Sequence, residues 1–566
     1  MYIHHKEEPN MKKIVTLILA LCLVLAMVPA MAEDAAFELN VCVASEPETI
    51  DPGLANSVDA AMMTNHQFEN LMKYELTDEH LTEDAGMYNT EIVPGQAASY
   101  EVSEDQTVYT FTLREDAVWS DGEPVKAQDF VYGWKRLVNP DTASEYGYFL
   151  DHIVLNAAEI QAGEADPDTL GIEALDDRTV QVTLESPCAY FLSMCAFPSL
   201  MPLRQDVVEG SDNWTDPANI VVNGPYKVTE WVHDSYIRME PNEKYYDADK
   251  LGPDAIIWNL SDSETAILSS YQSGEWQFID SFPADMIESL SASGDCFINP
   301  YVGTYYLYLN CLKIEDWRVR AALTLSVDRE NLVENVTQGG QVPATGLVAA
   351  GILDSEGNDF AAATELGALY TWLSEQYPDA DLETYSGRCE LAEQLYNEAV
   401  EDGAWNPDTT IVYNFNTSDT HKAIAEDCGS DWETVLGVNI TLENQEWATY
   451  TNGLGEHNFG VARLGWIADY NDPITYLELM YTDQSNNYGV YSNKDYDAMI
   501  DQAKATLPGA ERDQLLYDAE KLLYSEGGFP VAPLYFYTQP YCKNSSIGNV
   551  GFTSLGYYFF QFATQE

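Results

Sequence analysis

The chain has 566 residues, more than one hydrophobic core can serve, so two or three domains are expected. With 46% hydrophobic residues it is globular rather than disordered, and 93 acidic against 26 basic side chains give a formal net charge of -67. That charge repels nucleic acid and anionic membrane surfaces and excludes binding by counterion release.

The amino end reads as an address. Met11-Lys12-Lys13, an apolar run from Ile14 to Val28, and Ala30-Met31-Ala32 form a secretory signal pattern, with cleavage expected after Ala32 and an upstream start before Met11. The run is short for a membrane-spanning helix, which needs about 20 residues. A lipid-anchored alternative would use Cys22, but Leu21 stands where a small residue is wanted. The mature chain is expected to be exported and soluble. Its eight cysteines, an even count, permit disulfides whose pairing cannot be read from sequence. None has C-x-x-C spacing, so neither a redox motif nor a zinc site is suggested.

Residues 38–45 alternate as a strand, and helical spacing follows from Asp59 to Met72. Ser99 to Arg114 predicts two strands around Ser103-Glu104-Asp105, with Tyr109, Phe111 and Leu113 on one face. Asp129 is placed to cap a helix carrying Phe130, Trp134 and Leu137, which Asn139-Pro140-Asp141-Thr142 ends. A hairpin-like pair lies around Asp176-Asp177, with Val180, Val182 and Leu184 alternating. Asn223-Gly224-Pro225-Tyr226 opens a strand ending near Met239. Tyr301 to Asn310 predicts a central strand, and Asp316 to Val336 one helix. The region 349–410 is loop-rich, then helical from Ser386 to Glu401. Ile411–Phe415 and Asn439–Leu442 read as strands flanking a helix over Ser418–Leu436. Strands and helices alternate without repeats, an α/β or α+β architecture.

The stretch Phe459–Pro473, FGVARLGWIADYNDP, holds the chemistry. It begins as a strand and stops at an Asn-Asp-Pro turn signal. Arg463 and Asp469 stand six residues apart in an otherwise apolar run, an even spacing that puts both on one face of a strand. A lone buried charge must find a partner, and six extended residues span about 20 Å, too far for these two to pair. Ordinary neighbours elsewhere in the fold are one source of partners. A bound molecule with an amine at one end and a carboxylate at the other is a second, and a peptide fits that description.

Four segments, WSDGEPVKAQDFVYGWKRLVNPDTASEYGYFL (119–150), NGPYKVTEW (223–231), NQEWATY (444–450) and VARLGWIADYNDP (461–473), resemble the peptide-binding branch of the extracellular solute-binding proteins of ABC importers. The similarity to oligopeptide-binding members runs over nearly the whole mature chain. It implies a two-lobed α/β fold of the periplasmic-binding-protein kind, with an extra subdomain and a hinge that closes around the ligand. The first lobe would be built from 33–68, 205–302 and 537–566, the extra subdomain from 69–204, and the second lobe from 303–536.

The resemblance also implies an extended peptide paired along its main chain with two strand-like segments, which match Asn56–Val58 and Gly465-Trp466-Ile467. Asp469 matches the acid that grips the α-amine, and Arg463 and His421 match two cations that receive the carboxyl end. Tyr146, Trp447 and Trp466 match ligand-lining aromatics. Departures are present too. The position of a family lysine falls at Thr337 or Asn335, that of a further basic residue at Leu454, and Asn56 replaces an acid. Gly303 and Ile467 occupy the places of a known cross-lobe disulfide. The implied function is that of a monomeric receptor without cofactor or metal, delivering short peptides to a membrane permease. Another solute, such as an oligosaccharide, haem or a metal chelate, is the alternative, and an exported hydrolase a more distant one. The sequence contains no G-x-S-x-G elbow, H-E-x-x-H pair, P-loop or dinucleotide glycine pattern.

Overall fold

Side-chain amides decide where the first helix stops. The computed structural model describes Met1 and residues 36–44, 46–80, 87–188 and 190–566; the expected signal run, Cys22 included, lies outside the described residues. Strand β1 (Glu38–Ala44) leads to helix α1 (Val58–Gln67), capped by the Ser57 hydroxyl. α1 was expected to reach Met72 but ends at Gln67. Asn223 Oδ1 accepts from the Glu69 N–H (3.1 Å) and Asn70 Oδ1 from the Leu71 N–H (2.8 Å), so the donors of a further turn are already taken. Met72 instead opens β2 (Met72–His80), which pairs with β3 (Met87–Pro94).

β4 (Ala97–Val102) and β5 (Val108–Leu113) form the expected hairpin, burying Tyr109, Phe111 and Leu113 together. Helix α2 (Ala127–Val138) starts two residues before Asp129, which therefore lies inside the first turn rather than at its cap. Its carboxylate still ties the helix start, accepting from the Lys126 N–H (2.9 Å) and the Trp119 indole (3.0 Å). β6 (Ile172–Asp176) and β7 (Thr179–Thr183) complete a four-stranded sheet in the order β4-β5-β7-β6. The single strand expected from Tyr226 to Met239 is a hairpin, β8 (Tyr226–Val232) and β9 (Tyr236–Pro241). It turns at Asp234, whose φ of 57° lies in the left-handed region that Asp tolerates.

β10 (Ala255–Leu260) and β11 (Phe278–Ile279) precede β12 (Cys296–Leu309), the longest strand. The expected central strand is its second half. Val302 to Leu309 are all buried, as a strand covered on both faces requires. Helix α3 (Trp317–Leu325) has the Asp316 cap but does not run on to Val336. Asp328 caps a new turn through the Asn331 N–H, and the buried Arg329 guanidinium takes the carbonyls of Thr324 and Pro533. β13 (Val342–Pro343) follows, then α4 (Ala368–Gln376) inside the stretch expected to be loop, and α5 (Tyr385–Glu401). β14 (Thr410–Asn416), α6 (Asp419–Leu436), β15 (Asn439–Gln445), α7 (Trp447–Gly455), β16 (Val461–Ile467) and β17 (Val531–Lys543) follow in order. β18 (Val550–Phe552) and β19 (Tyr558–Phe559) follow near the end of the chain.

The main sheet runs β15-β14-β16-β12-β17-β11-β1-β10-β9-β8. Its two ends share only β12 and β17. Cys296–Pro300 pairs with Thr538–Cys542 near β11, while Thr304–Tyr308 pairs with Val531–Phe536 beside β16. The register breaks between Pro300 and Thr304, so these strands join the ends through an irregular step. β2 and β3, expected in the extra subdomain, share a sheet with β18 and β19, expected in the first lobe. The eight described cysteines form no disulfide, and Cys296 and Cys542 are direct cross-strand partners. Gly303 and Ile467, at the places of the family's disulfide, are cross-strand partners on β12 and β16. No described helix is long and apolar enough to cross a membrane.

Candidate functional site

β16 carries the site because its second half has an open edge. β14 pairs with it only at Val461 and Ala462, whereas β12 pairs with it along its whole length. From Arg463 to Ile467 no described strand covers the side away from β12. A strand edge of this kind presents main-chain groups to an extended partner. Gly465 lies in the middle of that edge. Any side chain there would run into the hydroxyl of Tyr537, a residue on β17 that the sequence did not single out.

At the carboxyl end of the edge, Asp469 is 7% exposed. Its Oδ1 accepts from the Tyr146 hydroxyl (3.3 Å). Its backbone N–H donates to Thr475 Oγ1, which also accepts from the Trp466 indole (3.2 Å). No lysine or arginine among the described residues lies within ion-pair distance of it. Burial therefore pushes its carboxyl up to about 7, against the lowering effect of the Tyr146 hydrogen bond and with some help from Glu478.

At the other end, Arg463 is 9% exposed and also lacks a carboxylate partner among the described residues. Its Nε donates to Asn416 Oδ1 (2.6 Å), and its guanidinium lies over the rings of Tyr305 and Trp447. Nη2 donates to His421 Nε2 (2.6 Å), which places the imidazole proton on Nδ1, facing the Tyr305 hydroxyl at 3.3 Å. Burial, and then the Arg463 charge, hold the His421 pKa well below its ordinary value. The Ser418 cap fixes His421 in the first turn of α6 by accepting from its N–H. The charge at this end thus resides on Arg463, with His421 a neutral acceptor. Trp447, on α7, is exposed and walls this end.

Asn56 and Val58 divide. Asn56 is exposed and donates to Glu145 Oε2 (2.7 Å), next to Tyr146. Val58 is already the first residue of α1, so the expected strand-like segment is shortened to Asn56 and the extended Ser57. The structure thus gathers Tyr146, Trp466 and Asp469 at one end and His421, Trp447 and Arg463 at the other. Tyr305, Asn416 and Tyr537 join them from strands whose alternation gives no sign of a site. Thr337 and Leu454 are both buried; with Asn335 as the alternative to Thr337, they stand where the resemblance placed family cations.

The family model for bacterial extracellular solute-binding proteins, family 5, matches residues 91–488. The chain belongs to this family. The periplasmic oligopeptide-binding protein OppA of Salmonella typhimurium is 34% identical over 502 residues, covering 87% of this chain and 86% of that one. Among solved structures, Haemophilus influenzae OppA in complex with the peptide RPPGFSPFR superposes with a TM-score of 0.82 at 27% identity, covering 94% of this chain and 99% of that one. The unliganded open form of the murein tripeptide-binding protein MppA covers 94% and 98% at 30% identity, but its TM-score is 0.65. Family 5 members are two-lobed, and this chain is arranged more like the peptide complex than like the open form. That accounts for the burial of Asp469 against Tyr146.

Proposed function

We propose that this family 5 protein is the exported receptor of an ABC importer, that it encloses a short extended peptide, and that it delivers the peptide to a membrane permease. The open edge of β16 serves the peptide main chain, which gives affinity without regard to side chain. Asp469 takes the α-amine, and Arg463 the carboxyl group of peptides long enough to reach it. The step between Pro300 and Thr304 in the two shared strands is the hinge, with lobes near the boundaries expected from sequence. The departures at Thr337 and Leu454 remove carboxylate capture at intermediate lengths.

One observation carries this reading: Asp469 is buried, with its acidity weakened, and has no cation within ion-pair distance among the described residues. A charge-assisted bond to an ammonium contributes about 1.5–3 kcal/mol. Leaving a buried charge of a broken pair alone costs about 3–5 kcal/mol. Both favour a ligand with a free amino terminus. Calorimetric titration with a tripeptide and its N-acetylated form tests this. Acetylation is expected to weaken binding at least tenfold, and equal affinity would overturn the assignment.

A further inference from the structure

The two strands that carry the main sheet through its irregular step also carry a pair of facing cysteines. Cys296 on β12 and Cys542 on β17 are direct cross-strand partners, on the β11 side of the step. Directly opposite residues of an antiparallel pair point to the same face of the sheet. Both are buried, Cys296 at 5% exposure and Cys542 at 0%, in a small apolar cluster with Ile279, Phe282 and Leu290.

The main-chain hydrogen bonds fix how near the two residues come. The Lys543 N–H donates to the Asp295 carbonyl (3.3 Å), which makes 295 and 543 a hydrogen-bonded pair. Pro540, opposite Ile298, has no N–H to give and so belongs to a non-hydrogen-bonded pair. The two kinds of pair alternate, and both observations put Cys296 and Cys542 at a non-hydrogen-bonded position. Cα atoms at such positions lie about 4.5 Å apart, inside the roughly 4.4–6.8 Å that a disulfide spans. Oxidation of this pair therefore needs no movement of the backbone. The side chains already interact: the hydrogen bond to Cys542 holds the Cys296 thiol below its ordinary range, against burial and with help from Ser291. Cys42 shares the cluster but sits on β1 beyond Ile279, two strand spacings or roughly 9.5 Å from Cys542, too far for a bond.

We infer that Cys296 and Cys542 are oxidised to a disulfide that staples β12 to β17 beside the step between Pro300 and Thr304. The inference goes beyond the peptide reading and does not depend on it. The oxidant is a small disulfide such as oxidised glutathione. The Cys296 thiolate attacks one of its sulfurs, forming a mixed disulfide and releasing one glutathione thiolate. Cys542 gives up its proton and attacks the Cys296 sulfur, expelling the second glutathione. Two protein thiols thus lose two electrons and two protons, and one glutathione disulfide becomes two glutathione thiols. The bond closes into one loop the stretch 303–536 expected to form the second lobe, which restricts the unfolded chain and stabilises the folded one.

The experiment incubates the mature chain with oxidised glutathione, quenches it with acid, alkylates the remaining thiols and digests it without reduction. Mass spectrometry is expected to find the peptides of Cys296 and Cys542 joined, and to find them separate after reduction. The thermal midpoint of the oxidised wild type should fall by about 3 °C or more on adding reductant, whereas that of Cys296→Ser should not move. Recovery of the two cysteines as separately alkylated peptides, or of either one joined to a different cysteine, overturns the inference. An equal fall of the midpoint in Cys296→Ser overturns the stapling role, because the stabilising bond then lies elsewhere.

Discussion

The Tyr146 hydroxyl and Asp469 Oδ1 meet at 3.3 Å across 323 residues of chain, and this contact joins the segment after α2 to the end of β16. It buries a carboxylate that no lysine or arginine among the described residues pairs with. On the proposed reading, Asp469 is thus held at a penalty that opening the lobes would relieve and that an arriving ammonium would remove. Asp469→Asn removes the penalty and the grip together. The unliganded variant is expected to be more closed, seen as a smaller radius of gyration in solution scattering, while its affinity for free-amine peptides falls roughly tenfold to a hundredfold. An unchanged radius of gyration with unchanged affinity would remove Asp469 from the mechanism.

The isolation of Arg463 and Asp469 was legible in the sequence, because two unlike charges in an apolar run stand out against their neighbours, although β16 ends at Ile467 and Asp469 lies just beyond it. So were most strands and helices, whose alternation and capping residues are local. What was not legible depends on residues distant in sequence. Asn223 stops α1 from 154 residues away, and Arg329 reaches Pro533 across 204, so both helices end earlier than their own spacing implies. Tyr305 lies in the expected central strand and Tyr537 was not singled out, and both come to the candidate site only through the strands beside them. The neutral state of His421 likewise follows from contact with Arg463, which no spacing reveals.

Affinity should depend on pH at both limbs. If Asp469 takes the α-amine as proposed, binding needs Asp469 ionised and the peptide amine protonated. The Asp469 carboxyl stands at about 7 in the folded chain, and a peptide α-amine titrates at about 7.7–8.0. Because the folded value is raised, the folded state holds the proton more tightly than the unfolded one. The carboxylate's penalty is absent below its unfolded value of about 3.9, grows from there, and is full above about 7. Calorimetry from pH 5.5 to 9 is expected to show an optimum between 7 and 8, with affinity falling towards tenfold per unit on each side. In Asp469→Asn the acid limb should vanish and the alkaline limb weaken.

Gly465 is held to glycine by Tyr537. Gly465→Ala forces the tyrosine hydroxyl aside, at about 1–3 kcal/mol of overpacking, and disturbs the main-chain edge of β16. A lower thermal midpoint and weaker peptide binding are expected together. Tyr537→Phe removes the atom that meets the new methyl first, so the double variant should recover part of both. Additive losses in the double variant would show that the tyrosine hydroxyl is not the obstacle.

The proposed capture of the peptide carboxyl assigns Arg463 the charge and His421 a neutral supporting contact. Arg463 Nη2 donates to His421 Nε2 at 2.6 Å, and burial with that neighbouring charge keeps the imidazole neutral. Nuclear magnetic resonance of the histidines is therefore expected to show His421 untitrated between pH 5 and 8, with its proton on Nδ1. Arg463→Met keeps the stem and removes the cation, so it should raise the His421 pKa. It should also abolish the preference for a free carboxyl group over an amide in peptides long enough to span β16. His421→Gln keeps an acceptor for Arg463 and should leave that preference within about threefold, since it removes no charge. A loss in His421→Gln as large as in Arg463→Met would mean that the histidine, and not the arginine, receives the carboxylate.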